Sequence, residues 1–272
     1  MSPLHLIRLP VLMQRFARFA AERNIGWSEG RGRDGRAQTL SFDEGLALHH
    51  LLTETFGRAV LQPFRLLVAQ GAERASLYAY STSTGAALAD AARTFASPEA
   101  DGICDPELLE SKVMPDIWRK GQRLGFDVRI RPVSRLLKPL PKSKGEAFRK
   151  GAEIDVFLAE ALRLLPTEAG DDGTMQAAGR NREVVYNDWL AARLGASAVL
   201  EAGTTRLAHF RRSRIVRTAK GPDGPDAILQ GTLTVLDPDM FTEKLAKGIG
   251  RHRAYGYGML LLRPPGTNPM ES

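Results

Sequence analysis

Five histidines, His5, His49, His50, His209 and His252, are the side chains of this 272-residue chain best suited to moving a proton near neutral pH. Any one of them, held beside a reacting hydroxyl or a leaving oxygen, would serve as a general base or acid. His49 and His50 are adjacent in ALHHLLTETFG, and successive residues of a helix lie about 100° apart, so the two cannot share a face. Other chemistry is poorly supplied. The single cysteine, Cys104, excludes an intramolecular disulfide and a cysteine zinc site. No HExxH or DxDxDG pattern occurs, and Asp171 and Asp172 sit in a glycine-flanked segment where solvation suffices for them. GIGRHRAYGYG lacks the Gly-Lys-Ser/Thr ending of a Walker loop, so nucleotide hydrolysis is unsupported, and no metal or cofactor is expected.

Cations are more abundant. With 38 Lys and Arg against 31 Asp and Glu, the net charge of +7 suits a polyanionic partner, although a mildly basic balance is common in soluble proteins and position must decide. At the C-terminal end, Gly248, Gly250, Gly256 and Gly258 permit positive φ and close approach, while Lys247, Arg251, His252 and Arg253 put cationic donors at the end of a helix. A phosphate fits that arrangement, and so does a plain helix-to-strand turn. Arg211, Arg212, Arg214 and Arg217 lie on a strand that turns at residues 221–224 and reads as a projecting basic hairpin, although edge strands also carry such charge as protection. Arg129 and Arg131 alternate with apolar residues in LGFDVRIRPV and share a polar face with Asp127.

The elements that must position these residues follow from periodicity. Apolar residues make up 43% of the chain, enough to bury a sizeable core, and the length suits two small domains. A strand is expected from Leu4 to Leu9, interrupted at Pro10. The Gly- and Arg-rich residues 26–36 are expected to be a mobile loop. Ser41 and Glu44 match a capping box, and Leu46, Leu48, Leu51, Leu52 and Phe56 form the stripe of the helix that carries His49. Paired strands over residues 61–69 and 75–80 and a short helix over 86–96 follow, and prolines at 98, 106 and 115 mark a joint.

Beyond the joint, Leu124 to Val133 reads as a strand and residues 138–182 as an insertion holding one helix, Glu153 to Leu165, and a flexible AGDDGT segment. A helix from Val184 to Leu194, long strands over 199–218 and 227–236, and a helix from Asp237 to Lys247 complete the chain. Each half thus runs strand, helix, strand, strand, helix, strand, although the last strand of the first half has no clear pattern. The expectation is an α+β protein of two tandem ferredoxin-like (RRM-like) domains with antiparallel sheets. Residues 1–115 would form a domain carrying the histidine helix, and residues 116–272 one carrying the basic hairpin and glycine-rich loop. No apolar run is long enough for an export signal or a membrane span, and cytoplasmic residence is expected.

Several segments together resemble the CasE family of the repeat-associated protein superfamily. LQGTLTVLDPDMFTEKLAKGIGRHRAYGYGMLLLRP resembles the family's C-terminal signature, GFDVRIRPVSR its first strand of the second domain, VVYNDWLAARLGA the helix after it, and LHHLLTETFG the helix bearing the active-site histidine. The resemblance implies a metal-independent endoribonuclease that cleaves precursor CRISPR RNA at the repeat stem-loop. It would leave a 2′,3′-cyclic phosphate and a 5′-hydroxyl and retain the hairpin as a subunit of a CRISPR surveillance complex. It further implies that His49 is the catalytic group, with His50 inheriting the role if the register is shifted by one. RNA contacts are expected from Arg129, Arg131, the four arginines at 211, 212, 214 and 217, and the glycine-rich loop. Some family members place a tyrosine one turn before the histidine, where this chain has Leu46, so His50, Tyr78 and Tyr80 stand as alternatives for a second proton donor. Two competing readings are a non-catalytic RNA-binding scaffold of the same superfamily and a protein-interaction domain whose basic face is incidental. RNA affinity that falls with salt separates the RNA readings from the last.

Overall fold

A computed structural model describes residues 3–31, 38–142, 146–164, 175, 179–213 and 223–266. In chain order the elements are β1 (His5–Leu12), α1 (Met13–Glu22), β2 (Trp27–Arg31), β3 (Gln38–Phe42), α2 (Glu44–Phe56), β4 (Phe64–Leu67), β5 (Arg74–Ser81), α3 (Gly85–Phe95), α4 (Pro98–Asp101) and β6 (Glu110–Val113). There follow β7 (Arg123–Ile130), β8 (Val133–Arg135), β9 (Leu140–Pro141), β10 (Ala147–Phe148), β11 (Glu153–Asp155), α5 (Val156–Leu164), α6 (Arg182–Leu194), β12 (Ala198–Leu200), β13 (Arg206–Ser213), β14 (Gly224–Val235), α7 (Pro238–Lys247) and β15 (Leu260–Arg263). Among the described residues no helix is long and apolar enough to cross a membrane.

Contacts divide the chain into two compact units. One holds the described residues up to Trp118 together with Pro238–Leu260, and the other holds Arg119–Ser213, Asp223–Asp237 and the residues from Leu261 on. Helix α7 and the glycine-rich loop therefore group with the first unit, whereas a contiguous cut at residue 115 would assign them to the second.

In the first unit the antiparallel sheet runs β4-β5-β1-β6, with β1 and β5 central. Taken with α1 and α2 before β4 and α3 before β6, this is a ferredoxin-like sandwich. Strand β1 alternates buried and half-buried residues over its whole length and continues through Pro10, contrary to the expected interruption. Beyond Arg8 only β5 flanks it, so a residue without an N–H is tolerated there. Residues 26–36, expected to be loop, contribute β2, which pairs with β3 from Trp27↔Phe42 to Arg31↔Gln38. The final strand, β6, is ESKV with every residue exposed, so no burial alternation marks it in the sequence.

The second unit has the same layout. Its sheet runs β12-β14-β7-β15, with β13 also pairing with β14. Strands β7 and β14 align from Arg123↔Thr234 to Ile130↔Ala227. The single strand expected over 199–218 is two, because the chain turns between Leu200 and Arg206, where Thr204 Oγ1 donates to Glu201 O at 3.0 Å. The segment read as an insertion is tied into this unit. Buried Asp155 accepts from Arg182 Nη1 at 2.8 Å, from Tyr186 Oη at 3.0 Å and from Phe157 N at 2.9 Å, fixing the start of α5 to α6. The AGDDGT segment lies outside the described residues.

Candidate active site

Helix α2 begins at Asp43, whose Oδ1 accepts the N–H of Leu46 at 3.0 Å. The cap expected at Ser41 is displaced because that residue pairs with Ser28 in the β2–β3 hairpin. Capping of this kind is worth about 1 kcal/mol. Ala47, Leu48, Leu51, Leu52 and Phe56 bury the helix against the first unit's core, with Phe16, Phe19 and Leu88 among their cluster. At roughly 1.5–3 kcal/mol for each large buried side chain, this burial outweighs the cap in holding the helix in place. His49 is left half-buried and His50 exposed.

The face that carries His49 also carries Gly45, one turn earlier. A Cβ at Gly45 would collide with the backbone carbonyl of Tyr255, so the helix and the short 3₁₀ turn Arg253–Tyr255 meet backbone to backbone. One turn on, the His49 ring meets the Tyr255 ring edge-on, with centroids 5.2 Å apart and planes at 63°. Tyr255 is 6% exposed, and its N–H donates to His252 O at 2.9 Å. His252 itself takes a left-handed conformation, φ 63°, and its ring lies 6.4 Å from that of Tyr255. Sequence reasoning passed over Tyr255, and its only signal was an aromatic residue flanked by loop glycines.

Packing inside the unit accounts for the loop glycines. Gly248 has φ +72°, and a Cβ there would lie 2.9 Å from Pro63 Cβ; Gly258 has φ +80°, and a Cβ would run into the carbonyl of Ile249. Ile249 N donates to Gly258 O at 2.8 Å, closing the loop. Gly250 and Gly256 also have positive φ. Arg253 Nη1 donates to Lys247 O at 2.5 Å, placing a cation on the last carbonyls of α7, where the helix dipole favours it. Lys247 pairs with Glu243, and Lys247, Arg251 and Arg253 are exposed while His252 is half-buried.

Of the alternatives for a second proton donor, His50 lies 5.7 Å from His49 between ring centroids, turned at 66°. Tyr80 is 1% exposed and donates to Leu260 O at 3.0 Å, and burial pushes its pKa up, so its proton is committed inside the protein. Tyr78 stands on β5 opposite Arg8 of β1. Near the C-terminal part of α2, Glu54 pairs with Arg23. Burial pushes the Glu54 carboxyl up, but hydrogen bonds from Ser97 and Arg23, with the charges of Arg23 and His50, hold it below its ordinary value.

In the second unit the basic residues are gathered on buried acids. Arg129 donates through Nε and Nη2 to Asp226 at 2.7 and 2.6 Å, and Arg211 Nε donates to the same carboxylate at 2.9 Å. Arg131 is 6% exposed, with its guanidinium on Ser213 Oγ and O, both at 3.1 Å. Its charge is thus spent at the root of the β13–β14 hairpin. Arg212 is exposed, with Nη2 on Asp223 O at 3.0 Å. Arg214 and Arg217 lie outside the described residues.

Comparison with known proteins follows this geometry. A family model described as CRISPR associated protein matches residues 4–264. The chain belongs to that family. The match runs through residues 24–40 and 138–182, which the sequence resemblance left out. Among solved structures, Thermus thermophilus Cse3 bound to an RNA representing a pre-cleavage complex is similar at 18% identity and a TM-score of 0.57, over 96% of this chain and 100% of that one. The CRISPR-associated protein Cas6e from Escherichia coli str. K-12 is similar at 17% identity and a TM-score of 0.52, over 96% and 99% of the two chains. These likenesses extend to the fold, two ferredoxin-like domains with antiparallel sheets. Comparison with curated proteins returned no match.

Proposed function

We propose that this family member is a metal-independent endoribonuclease that cleaves precursor CRISPR RNA at the repeat stem-loop and keeps the hairpin as a subunit of a surveillance complex. The observation that carries this reading is the seat of His49, half-buried on α2 and set edge-on to Tyr255 of a loop whose exposed cations are Lys247, Arg251 and Arg253. Similarity in fold to a Cse3 bound to RNA and to Cas6e supports the choice of substrate.

In the reaction the RNA's own 2′-hydroxyl is the nucleophile. A base removes its proton, O2′ bonds to the adjacent phosphorus, the P–O5′ bond breaks, and an acid protonates O5′. The products are a 2′,3′-cyclic phosphate and a 5′-hydroxyl. His49 supplies one of the two proton transfers, and the loop cations stabilise the charge that builds on the phosphate. Lys247, Arg251, His252 and Arg253 belong to the chemistry's surroundings, with Gly248, Gly250, Gly256 and Gly258 shaping the loop. Arg211 and Arg212, with Arg214 and Arg217, hold the stem through phosphates and shape, since side chains do not read the deep groove of A-form RNA. Arg129 and Arg131 support that hairpin from beneath.

The test is cleavage of the cognate repeat RNA in EDTA by wild type and His49→Ala, with binding followed in parallel and a 2′-deoxy substitution at the cut site. Cleavage lost in the variant and in the deoxy RNA, with binding retained, is the expected result. Binding without wild-type cleavage would instead make the protein an RNA-holding scaffold.

A further inference from the structure

The second unit contains a pocket of about 370 Å³ that the proposed chemistry does not use. Its walls come from β7, β14, the turn before β13 and the end of β15. Two glycines on adjacent strands make room for it. A Cβ at Gly125 would lie 2.5 Å from Pro264 O, and one at Gly231 would lie 2.7 Å from Thr205 Cα, so both positions require glycine and leave the strands bare between them.

The polar lining has the composition of a nucleotide site. Arg206 and Arg263 bring two guanidiniums, Gln230 an amide, and Thr204 and Thr232 hydroxyls. Asp127, 5% exposed, lies under two of these: Arg263 Nη2 donates to its Oδ2 at 2.6 Å and Gln230 Nε2 at 2.8 Å. The carboxylate holds the guanidinium and the amide in place, and the amide's carbonyl oxygen is not used by that bond. Two arginines against one aspartate leave a surplus of one positive charge, which matches one phosphodiester. The volume is at the small end for a ligand pocket, suiting one nucleotide and excluding a duplex.

We propose that this pocket binds a single ribonucleotide, its phosphate on Arg206 and Arg263 and its sugar or base edge on Gln230, Thr204 and Thr232. The occupant is either an unpaired nucleotide of an RNA strand or a free nucleotide. The first of these sources rests on the RNA-cleavage reading above, while the pocket itself does not.

The probes are adenosine and cytidine 5′-monophosphate, an unstructured RNA pentamer, and the repeat hairpin trimmed of single-stranded flanks, each titrated into wild type, Arg206→Ala and Arg206→Lys. Arg206 is exposed, and unchanged melting temperatures for its variants confirm folded protein. The expected result is pentamer binding that weakens about tenfold in Arg206→Ala, the scale of one charge-assisted hydrogen bond. It should recover in Arg206→Lys, with cleavage of the trimmed hairpin unchanged throughout. A monophosphate that binds as tightly as the pentamer, with the same dependence on Arg206, supports the pocket and selects a free nucleotide as its occupant. Absence of pentamer and monophosphate binding, or binding indifferent to Arg206, overturns the proposal. Because hairpin cleavage is a separate readout, its failure with pocket binding intact counts against the endonuclease reading alone.

Discussion

Asp226 and Arg129 form a two-bonded pair, Nε to Oδ1 at 2.7 Å and Nη2 to Oδ2 at 2.6 Å, with the carboxylate 2% exposed and the guanidinium 15%. The pair spans β14 and β7, and Arg211 of β13 completes it, so one buried acid ties three strands together. Removing one partner leaves the other charge buried alone, which costs about 3–5 kcal/mol. Asp226→Asn should therefore lower stability by about 3 kcal/mol in urea unfolding, discounted because Arg211 is more than half exposed and can turn to solvent.

The same residue gives a pH dependence. Burial pushes the Asp226 carboxyl up, but hydrogen bonds and charge from Arg129 and then Arg211 more than reverse this and hold it below its ordinary value. Its contribution is complete above the unfolded-state pKa, about 3.9, and is lost as pH falls through the lower folded-state value. The gap in unfolding free energy between wild type and Asp226→Asn should be constant from about pH 5 to 7 and shrink below about pH 4. A gap that widens in acid would contradict this account.

Gly45→Ala sets two effects against each other. Alanine in a helix interior gains about 1 kcal/mol over glycine, but the new Cβ would collide with the Tyr255 carbonyl, a backbone atom that cannot rotate away. Overpacking of that kind costs about 1–3 kcal/mol. Net destabilisation is expected, together with a loss of cleavage at least as large as the loss of folded protein. Thermal melts and single-turnover cleavage measured side by side would show it.

The ring of Tyr255, rather than its hydroxyl, is what His49 meets. An aromatic pair of this geometry is worth about 0.5–1.5 kcal/mol, so Tyr255→Leu should slow cleavage by about tenfold while Tyr255→Phe stays within about threefold of wild type. A collapse of the rate in Tyr255→Phe would assign the hydroxyl to proton transfer.

Salt separates the two exposed arginines of β13. Each phosphate contact removed should reduce the slope of log affinity against log salt by about one. Arg212, bonded only to the Asp223 carbonyl among its described side-chain partners, should show this with little change in melting temperature. Arg211→Ala should also lower the melting temperature, because Asp226 loses one of its two cations.

Much of this protein was determined by the sequence alone, because alternation and capping are local. The strand alternation of residues 124–133, the helix over 184–194 and the His49 helix all lie where periodicity puts them, and together they specify two ferredoxin-like repeats. Signals failed where local pattern and role diverge. ESKV carries no alternation because β6 is exposed throughout, and β1 continues past Pro10 because its neighbour on one side ends first.

What only the tertiary structure decided concerns partners far apart in the chain. Arg131 looks like an exposed base in LGFDVRIRPV, yet it is buried because Ser213, 82 residues away, receives its guanidinium. Tyr255 becomes the neighbour of His49 only because Gly45 lets α2 touch a loop some two hundred residues later. Periodicity reports which face of an element is apolar. It carries no information about which distant group that face, or the opposite one, will meet, and that is settled when the elements pack.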